Sequence, residues 1–344
     1  MNLDLNVGYW GTALDQSLLE LAESCGYRCV WAAEAYGSDA VSVLATVAAR
    51  SSRLEIGSAI LQIPARTPAM TAMTAATLDD LAPGRFRLGL GVSGPQVVEG
   101  WHGVGYGKPL RRTREYVDIV RAILAREAPL EYRGEDYRFP YDGADASGLG
   151  KPLKLIGRPH PDIPVYLAAI GPGNVALTAE IGDGWLPAFY SPERAPEVFS
   201  EHLQRGFERS NEPGKAERFD VVASVQAVVS DDVSVARDAV RPGLALYLGG
   251  MGAKGANFYH ELACRYGFEA EADRIQEAYL AGDKAGAIAL VPDGLIDEVA
   301  LVGPIERIAD RLRVWEESGV DSLAVAALDP GTVTGVVEAF ELTR

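Results

Sequence analysis

The stretch from Leu54 to Gly94 constrains the fold of this chain more than any other part of the sequence. It begins with LEIGSAIL, a short apolar run that is typical of a buried strand. Thr67 and Pro68 then provide the N-cap and first position of a helix, and FRLGLGV forms a second strand after Pro83-Gly84. A strand, a helix and a strand in this order predict a right-handed βαβ unit with parallel strands. Apolar residues within the predicted helix are Met70, Met73, Ala76 and Leu81.

Small residues lie at the carboxyl ends of both strands. Gly57, Ser58 and Ala59 lie at the end of the first strand, and the end of the second strand has Gly89, Gly91, Ser93 and Gly94. Because a parallel barrel binds its ligands at this end of its strands, exposed backbone here favours a binding site. The alternative is that the small residues only relieve crowding between neighbouring strands, and the sequence leaves both interpretations open.

The rest of the chain repeats the alternation of strands and helices. The pattern predicts eight strands, at 2–9, 29–33, 54–61, 86–92, 164–171, 184–189, 219–230 and 321–328. It predicts further helices at 14–24, 38–49, 110–126, 196–209 and 332–341, and helical structure from 231 to 319 that includes a helix at 304–318. A long loop is predicted from Gly94 to Pro109, and an excursion with a hairpin from Leu130 to Leu155. Eight alternating parallel strands predict a (β/α)8 TIM barrel with insertions, in a single domain over residues 1–344.

Composition excludes several classes of function. The net charge of −16 argues against nucleic-acid binding, which needs a basic surface. No apolar run is long enough to span a membrane, and the first residues lack a basic n-region, so we expect a cytoplasmic protein. Cys25, Cys29 and Cys264 have no metal-ligand spacing with the four histidines. We therefore expect buried thiols and no metal site.

Three polar residues are candidates for catalysis. Glu34 directly follows the second predicted strand, where a carboxylate is costly unless it is paired or lies in a functional site. An ion pair with a nearby arginine is the alternative explanation for Glu34. His102 and Tyr106 lie in the glycine-rich loop before Pro109, and long ordered loops are usually functional. A lone histidine in such a loop is nevertheless more often structural.

A possible anion site follows the fifth predicted strand, PVYLAAIG. Gly171, Pro172, Gly173 and Asn174 open the next helix, where backbone N–H groups are free to bind phosphate. A plain tight turn explains these glycines equally well. The site would lie on the same face as the other small strand ends.

These segments resemble the luciferase-like family of flavin and deazaflavin oxidoreductases over essentially the whole chain. The resemblance lies in VWAAEAYGSDA, TPAMTAMTAATLDDLAPGRFRLGLGVSG, GPQVVEGWHG and AAIGPGNVALTAEIGDGW. Within the family, the chain is most similar to the actinobacterial reductases that use the deazaflavin coenzyme F420, with FMN as the main competitor. The resemblance implies hydride transfer between the deazaflavin C5 and a small organic substrate, in a protein that tends to form a homodimer. The alternatives are an FMN-dependent monooxygenase and a non-catalytic coenzyme-binding protein.

The resemblance also implies roles for individual residues. A non-prolyl cis peptide is implied at Ser58-Ala59 or Ala59-Ile60, behind the flavin ring. Glu34 matches the family's acidic position after the second strand, and Glu34, His102 and Tyr106 are the candidate proton donors. The coenzyme-binding residues that the resemblance implies are Ser58, Ala59, Ile60, Gly91, Val92, Ser93, Ile170, Gly171, Gly173 and Asn174.

Two departures from the family pattern restrict the chemistry. Many relatives have a histidine after the acidic residue, whereas this chain has Ala35, so a histidine acid is excluded there. The sugar-phosphate dehydrogenase branch has a glutamate after the fourth strand, whereas this chain has Val92 to Pro95, which argues against glucose 6-phosphate as substrate. We expect the loop from Gly94 to Pro109 and the region from Leu244 to Phe268 to determine the substrate.

Overall fold

Eight parallel strands close into a barrel in the computed structural model of the chain, which describes residues 1–9, 15–327 and 329–344. The predicted helix start at Leu14 and strand end at Leu328 lie outside the described residues. Within these ranges the strands are β1 (Asn2–Asn6), β2 (Cys29–Ala32), β3 (Glu55–Ser58), β4 (Leu61–Gln62), β5 (Phe86–Gly91), β6 (Tyr132–Arg133), β7 (Arg138–Phe139), β8 (Val165–Ala168), β9 (Gly184–Leu186), β10 (Asp220–Val229), β11 (Ala300–Gly303) and β12 (Ser322–Ala326).

Helices surround this barrel and follow most of its strands. The α-helices are α1 (Gln16–Ser24), α2 (Ala40–Arg50), α3 (Pro68–Leu81), α4 (Pro95–Gly100), α5 (Pro109–Ala125), α6 (Pro172–Ile181), α7 (Ala195–Ser210), α8 (Lys215–Arg218), α9 (Val233–Ala245), α10 (Phe258–Arg265), α11 (Glu269–Leu280), α12 (Lys284–Ala289), α13 (Asp293–Val299), α14 (Ile305–Glu317) and α15 (Pro330–Glu341). In the part of the chain that the structure describes, no helix is both long enough and apolar enough to cross a membrane.

The barrel closes in the order β1, β2, β3, β5, β8, β9, β10 and β12, and β12 returns to β1. The first strand pairs in parallel on both edges, with Leu5 opposite Val30 on one side and Val325 on the other. Leu5, Val30 and Val325 have 0% exposure and pack in the layer between the strands and the surrounding helices, whereas Trp31, Val222 and Ala324 belong to a separate cluster inside the barrel. The predicted (β/α)8 TIM barrel is therefore confirmed.

Two segments differ from the sequence-based prediction. Ala300–Gly303 was expected to be helical but forms β11, which pairs in parallel with residues Gln226–Val229 of β10. Its four residues lie between two helices, and so short an apolar run carries no periodicity that separates a strand from a helix. The loop predicted from Gly94 to Pro109 contains the short helix α4, which begins at a proline. The predicted excursion does contain a hairpin, formed by β6 and β7.

Helix α3 begins as predicted and buries a face of small residues. The Thr67 side chain accepts a hydrogen bond of 3.1 Å from the Met70 backbone N–H, and Pro68 is the first helical residue. The buried face consists largely of small residues such as Ala72 and Ala75. The large apolar side chains of Met70, Met73 and Leu81 are instead about half exposed, at 52%, 50% and 51%.

Charged side chains occupy the amino-terminal end of the barrel. The Asp4 carboxylate has 0% exposure and accepts hydrogen bonds from Trp31 Nε1 at 2.9 Å and Arg28 Nη2 at 3.3 Å. Burial raises the pKa of Asp4, and the nearby Arg28 guanidinium opposes that rise. Arg87 forms a second ion pair with Glu55 at 2.7 Å. These charges are paired with one another, so we assign this end of the barrel a structural role.

Candidate active site

A cavity of about 930 Å³ lies at the carboxyl ends of the barrel strands. Its volume is at the upper end of the range that small-molecule and cofactor sites occupy. Eleven of the thirteen predicted site residues line it, namely Glu34, Ala59, Ile60, Gly91, Val92, Ser93, Tyr106, Ile170, Gly171, Gly173 and Asn174. Ser58 and His102 do not appear in its lining.

The end of β3 forms one wall of the cavity. The peptide bond between Ala59 and Ile60 is cis, which is one of the two bonds that the family resemblance implies. Ser58 is fully buried, and its Oγ both donates to the Gly89 carbonyl and accepts from the Gly89 N–H, at 2.9 Å each. The Ser58 hydroxyl therefore joins β3 to β5, and Ser58 does not line the cavity.

The glycines of these strands serve two different purposes. A Cβ at Gly57 would lie 2.4 Å from the Trp31 ring, and one at Gly89 would lie 1.8 Å from the Ser58 carbonyl oxygen. A Cβ at Gly91 would lie 2.8 Å from Ile60 Cγ1. These three glycines permit close strand packing, as the alternative interpretation of the sequence held. At Gly171, in contrast to these three glycines, a Cβ would meet no atom within 4 Å, so the backbone there faces open space.

The helix N-terminus after β8 has the features of an anion site. Gly171 is the N-cap of α6 and no side chain caps this helix, which leaves the N–H groups of Gly173 and Asn174 unused by the helix. Arg265 lies behind this turn and donates from Nη2 to the Ile170 carbonyl at 3.1 Å. Its buried Nη1 has no hydrogen-bond partner among the described residues, and burial lowers the pKa of Arg265. The sequence did not indicate this arginine, because Arg265 lies 95 positions after Ile170 in the chain.

Glu34 is both paired with an arginine and part of the cavity wall. Its Oε1 accepts from Arg66 Nη2 at 2.7 Å, and its side chain is only 11% exposed. Its Oε2 is buried without a hydrogen-bond partner among the described residues. Burial raises the pKa of Glu34, Asp39 adds to the rise, and Arg66 opposes it. A carboxyl group in this environment can hold a proton above the usual carboxyl range.

His102 is held away from the cavity by Gln62. His102 Nε2 contacts Gln62 Oε1, while Gln62 Nε2 donates to the Glu34 carbonyl oxygen at 3.2 Å. Burial, together with the charge of Arg66, lowers the pKa of His102. Tyr106 does line the cavity, and burial raises the pKa of its hydroxyl. Of the three predicted proton donors, the structure brings Glu34 and Tyr106 to the cavity.

Several polar residues on the opposite wall were not predicted. Asn6 Nδ2 donates to Ser224 Oγ at 2.9 Å, and the hydroxyls of Tyr9 and Tyr247 lie 3.0 Å apart. Gln226 also faces the cavity. Ser224 and Gln226 occupy alternate positions in the apolar strand sequence DVVASVQAVV. Because alternate residues of a strand share one face, this pattern could have indicated that both side chains point to the same side of β10. Among the described residues of the lining, Glu34 is the only Asp, Glu, Lys, Arg or His.

Comparison with known proteins agrees with this geometry. Residues 16–322 match the sequence profile of the luciferase-like monooxygenase family. A Mycobacterium tuberculosis protein that is named as a candidate coenzyme F420-dependent oxidoreductase is 46% identical over 95% of this chain and 95% of its own length.

Solved structures have the same fold. The coenzyme F420-dependent tetrahydromethanopterin reductase of Methanopyrus kandleri superposes with a TM-score of 0.79 at 21% identity, over 100% of both chains. An F420-dependent secondary alcohol dehydrogenase in complex with an F420–acetone adduct gives a TM-score of 0.77 at 16% identity, also over 100% of both chains. The sequence match covers most of the chain and the barrel is shared, so this chain belongs to the luciferase-like monooxygenase family.

Proposed function

We propose that this chain is a coenzyme F420-dependent oxidoreductase that transfers hydride between the deazaflavin C5 and a small organic substrate. The observation that carries the proposal is a single cavity that is lined by Ala59 and Ile60 after β3, by the β5 strand end at Gly91 and by the α6 N-terminus at Gly171. The similarity to proteins named for F420 supports the choice of coenzyme.

The residues present fit such a coenzyme. The open space at Gly171 can accept a phosphate against the N–H groups of Gly173 and Asn174. The buried Glu34 Oε2, which has no partner among the described residues, lies in a wall that can face a polar ring. Ala59, Ile60, Gly91, Val92 and Ser93 would hold the ring, while Ile170, Gly171, Gly173 and Asn174 would hold the phosphate end.

In the proposed reaction the coenzyme and the protein have different roles. When bound, the coenzyme supplies the carbon that gives or accepts hydride. Glu34 holds the proton that accompanies the hydride at Oε2, because Oε1 is fixed by Arg66 and burial raises the pKa of Glu34. Tyr106 is the second candidate donor. Among the described residues of the lining, Glu34 is the only carboxylic acid, so no second carboxyl group competes with it for this proton.

Single-turnover oxidation of reduced F420 tests the proposal. The protein is mixed with reduced F420 and a panel of small ketones, enones and aldehydes, and oxidation of the coenzyme is followed by absorbance. We expect at least one substrate to oxidise the coenzyme faster with the protein than without it. A chain that binds F420 but never accelerates its oxidation would be a non-catalytic coenzyme-binding protein.

Because members of this family tend to dimerise, we also propose that the chain forms a homodimer whose interface includes helix α3. Met70, Met73 and Leu81 form a half-exposed apolar stripe on one face of this helix, which is unusual for a surface in contact with water. We expect Met73→Glu to convert a dimer into a monomer in light scattering, because it would bury a charge at the interface. Val235→Glu is the control, since Val235 is 58% exposed on helix α9. A wild-type monomer would contradict the proposal.

The remaining expectations concern organisation and location. We propose that residues 1–344 form one domain, because a single barrel accounts for all the large described elements. Cys25, Cys29 and Cys264 are free thiols, which supports a reducing, cytoplasmic location.

A further inference from the structure

Helix α10 carries a histidine and a cysteine one turn apart, outside the cavity of the candidate active site. His260 and Cys264 are spaced i, i+4, so their side chains are neighbours on one face of the helix. His260 Nδ1 lies 3.6 Å from Cys264 Sγ, close enough for the weak S–H donor to reach the ring nitrogen. Neither residue lines the cavity, whereas Phe258 and Tyr259 of the same helix do. The pair is therefore separate from the proposed active site.

Asp273 of helix α11 contacts the same histidine from its other side. Asp273 Oδ1 lies 2.9 Å from His260 Nε2. An ionised carboxylate only accepts hydrogen bonds, so this contact favours the neutral ring that carries its proton on Nε2. The lone pair of Nδ1 then faces the Cys264 thiol. Cysteine, histidine and carboxylate are thus arranged as a nucleophile, a base and a group that orients the base.

Cys264 differs from the other two cysteines in its surroundings. The sequence predicts three buried thiols, but only Cys29 is buried, whereas Cys25 and Cys264 are partly exposed. The reason is that Cys25 and Cys264 lie at the ends of helices α1 and α10, while Cys29 lies in strand β2. In the described part of the chain, Cys264 is the only one of the three with a hydrogen bond to a histidine. Cys25 is therefore an internal control for the reactivity of Cys264.

The surroundings of Cys264 disfavour a free thiolate. The charged groups that act on this region are Asp273 and Glu269 of α11 and Glu261 and Arg265 of α10. Burial raises the pKa of the Cys264 thiol most, and the three carboxylates add to the rise. Cys264 is therefore protonated at neutral pH, and its proton has to leave as the sulfur forms a new bond. The contact with His260 provides a base for this proton, as in the serine hydrolases, whose nucleophile also has a high pKa.

We propose that Cys264 is a modification site that forms a mixed disulfide with a small uncharged disulfide. The Cys264 sulfur attacks one sulfur of the disulfide while His260 Nδ1 takes the thiol proton. The old S–S bond breaks, a new S–S bond joins Cys264 to one half, and the other half leaves as a thiolate that receives the proton from His260. The Cys264 sulfur is oxidised and the departing sulfur is reduced. The partner is uncharged because the three nearby carboxylates repel an anionic disulfide.

Labelling with dithiodipyridine, an uncharged aromatic disulfide, tests the assignment on the full-length protein without coenzyme or turnover. The released thiopyridone is followed by absorbance, and peptide mapping by mass spectrometry assigns a separate rate to Cys25 and to Cys264. We expect Cys264 of the wild type to react about 100-fold faster than Cys25, the lower end of the range for general-base assistance.

Three substitutions separate the effect of the base from the effect of the surrounding charge. His260→Gln should lower the Cys264 rate to that of Cys25, because an amide does not accept the proton. Asp273→Asn should slow Cys264 by at least about tenfold, because the histidine loses the group that fixes its tautomer. If Asp273 acted only through its charge, the same substitution would lower the pKa of the thiol and speed the reaction. Glu269→Gln is the matched control, since it removes a carboxylate that raises the same pKa from another position of α11, and it should not slow Cys264.

A wild-type Cys264 rate no higher than the Cys25 rate would overturn the proposal. A His260→Gln variant that reacts as fast as the wild type, or an Asp273→Asn variant that reacts faster, would also overturn it. The Asp273 side chain is 67% exposed, so Asp273→Asn is a surface substitution that keeps the test open if His260→Gln does not fold. The comparison of Cys264 with Cys25 in the wild type needs no variant.

Discussion

Replacing Glu34 by Gln is expected to lower kcat/KM for substrate reduction by about 100- to 10,000-fold, the range for loss of a general acid. Gln keeps the size of the side chain and can still contact Arg66, but it cannot deliver a proton. Coenzyme affinity should change far less than the rate. Steady-state kinetics with reduced F420, together with a separate F420 titration, measure the two effects independently. Glu208→Gln, at an exposed carboxylate on α7, is the control.

The pH dependence provides a second readout for the same residue. Burial raises the pKa of Glu34, so the protonated acid persists to higher pH than for an ordinary carboxyl. The rate of reduction should therefore fall as the pH rises through that elevated pKa. Arg66→Met removes the cation that lowers the pKa of Glu34, and it should move the fall to still higher pH. An unchanged pH profile in Glu34→Gln would exclude Glu34 as the donor and leave Tyr106.

Gly89→Ala is expected to destabilise the protein by about 3 kcal/mol, at the upper end of overpacking effects. The new Cβ would lie 1.8 Å from the Ser58 carbonyl oxygen, and a backbone atom inside a barrel cannot move aside. It would also disturb the two hydrogen bonds between Ser58 and Gly89. Urea unfolding followed by circular dichroism measures the loss.

Gly171→Ala is the matched substitution at the site where the backbone faces open space. A Cβ there meets nothing within 4 Å and the backbone has φ of −72°, so we expect stability to change by less than about 0.5 kcal/mol. F420 affinity should fall, because the methyl group would enter the proposed phosphate site. Equal destabilisation by the two substitutions would contradict the division of roles between these glycines.

The sequence was sufficient to predict the elements that local signals define. The cap at Thr67 and the helix start after Gly171 were correct because capping depends on neighbouring residues. Strand ends could be aligned because parallel strands in a barrel all present their carboxyl ends on one face. Together, the local capping signals and the shared face of the strand ends allowed the residues of one cavity wall to be predicted. The four-residue strand β11 was missed because it carries too little pattern.

Pairings between distant positions could not be predicted from the sequence. Whether Gly57 and Gly89 expose backbone or permit packing depends on Trp31 and Ser58 on neighbouring strands. Glu34 was expected to be either paired or functional; the structure pairs it with Arg66 and also places it in the lining of the cavity. The hydroxyls of Tyr9 and Tyr247, which meet in space, are 238 positions apart in the chain.

Equilibrium titration of the purified chain with F420 and with FMN tests the central claim most directly. The protein is freed of bound coenzyme, and each coenzyme is titrated separately by fluorescence under the same conditions. We expect F420 to bind with a Kd of about 1 μM or tighter, near −8 kcal/mol, and FMN to bind much more weakly. Micromolar binding of FMN without binding of F420 would contradict it and favour an FMN-dependent monooxygenase.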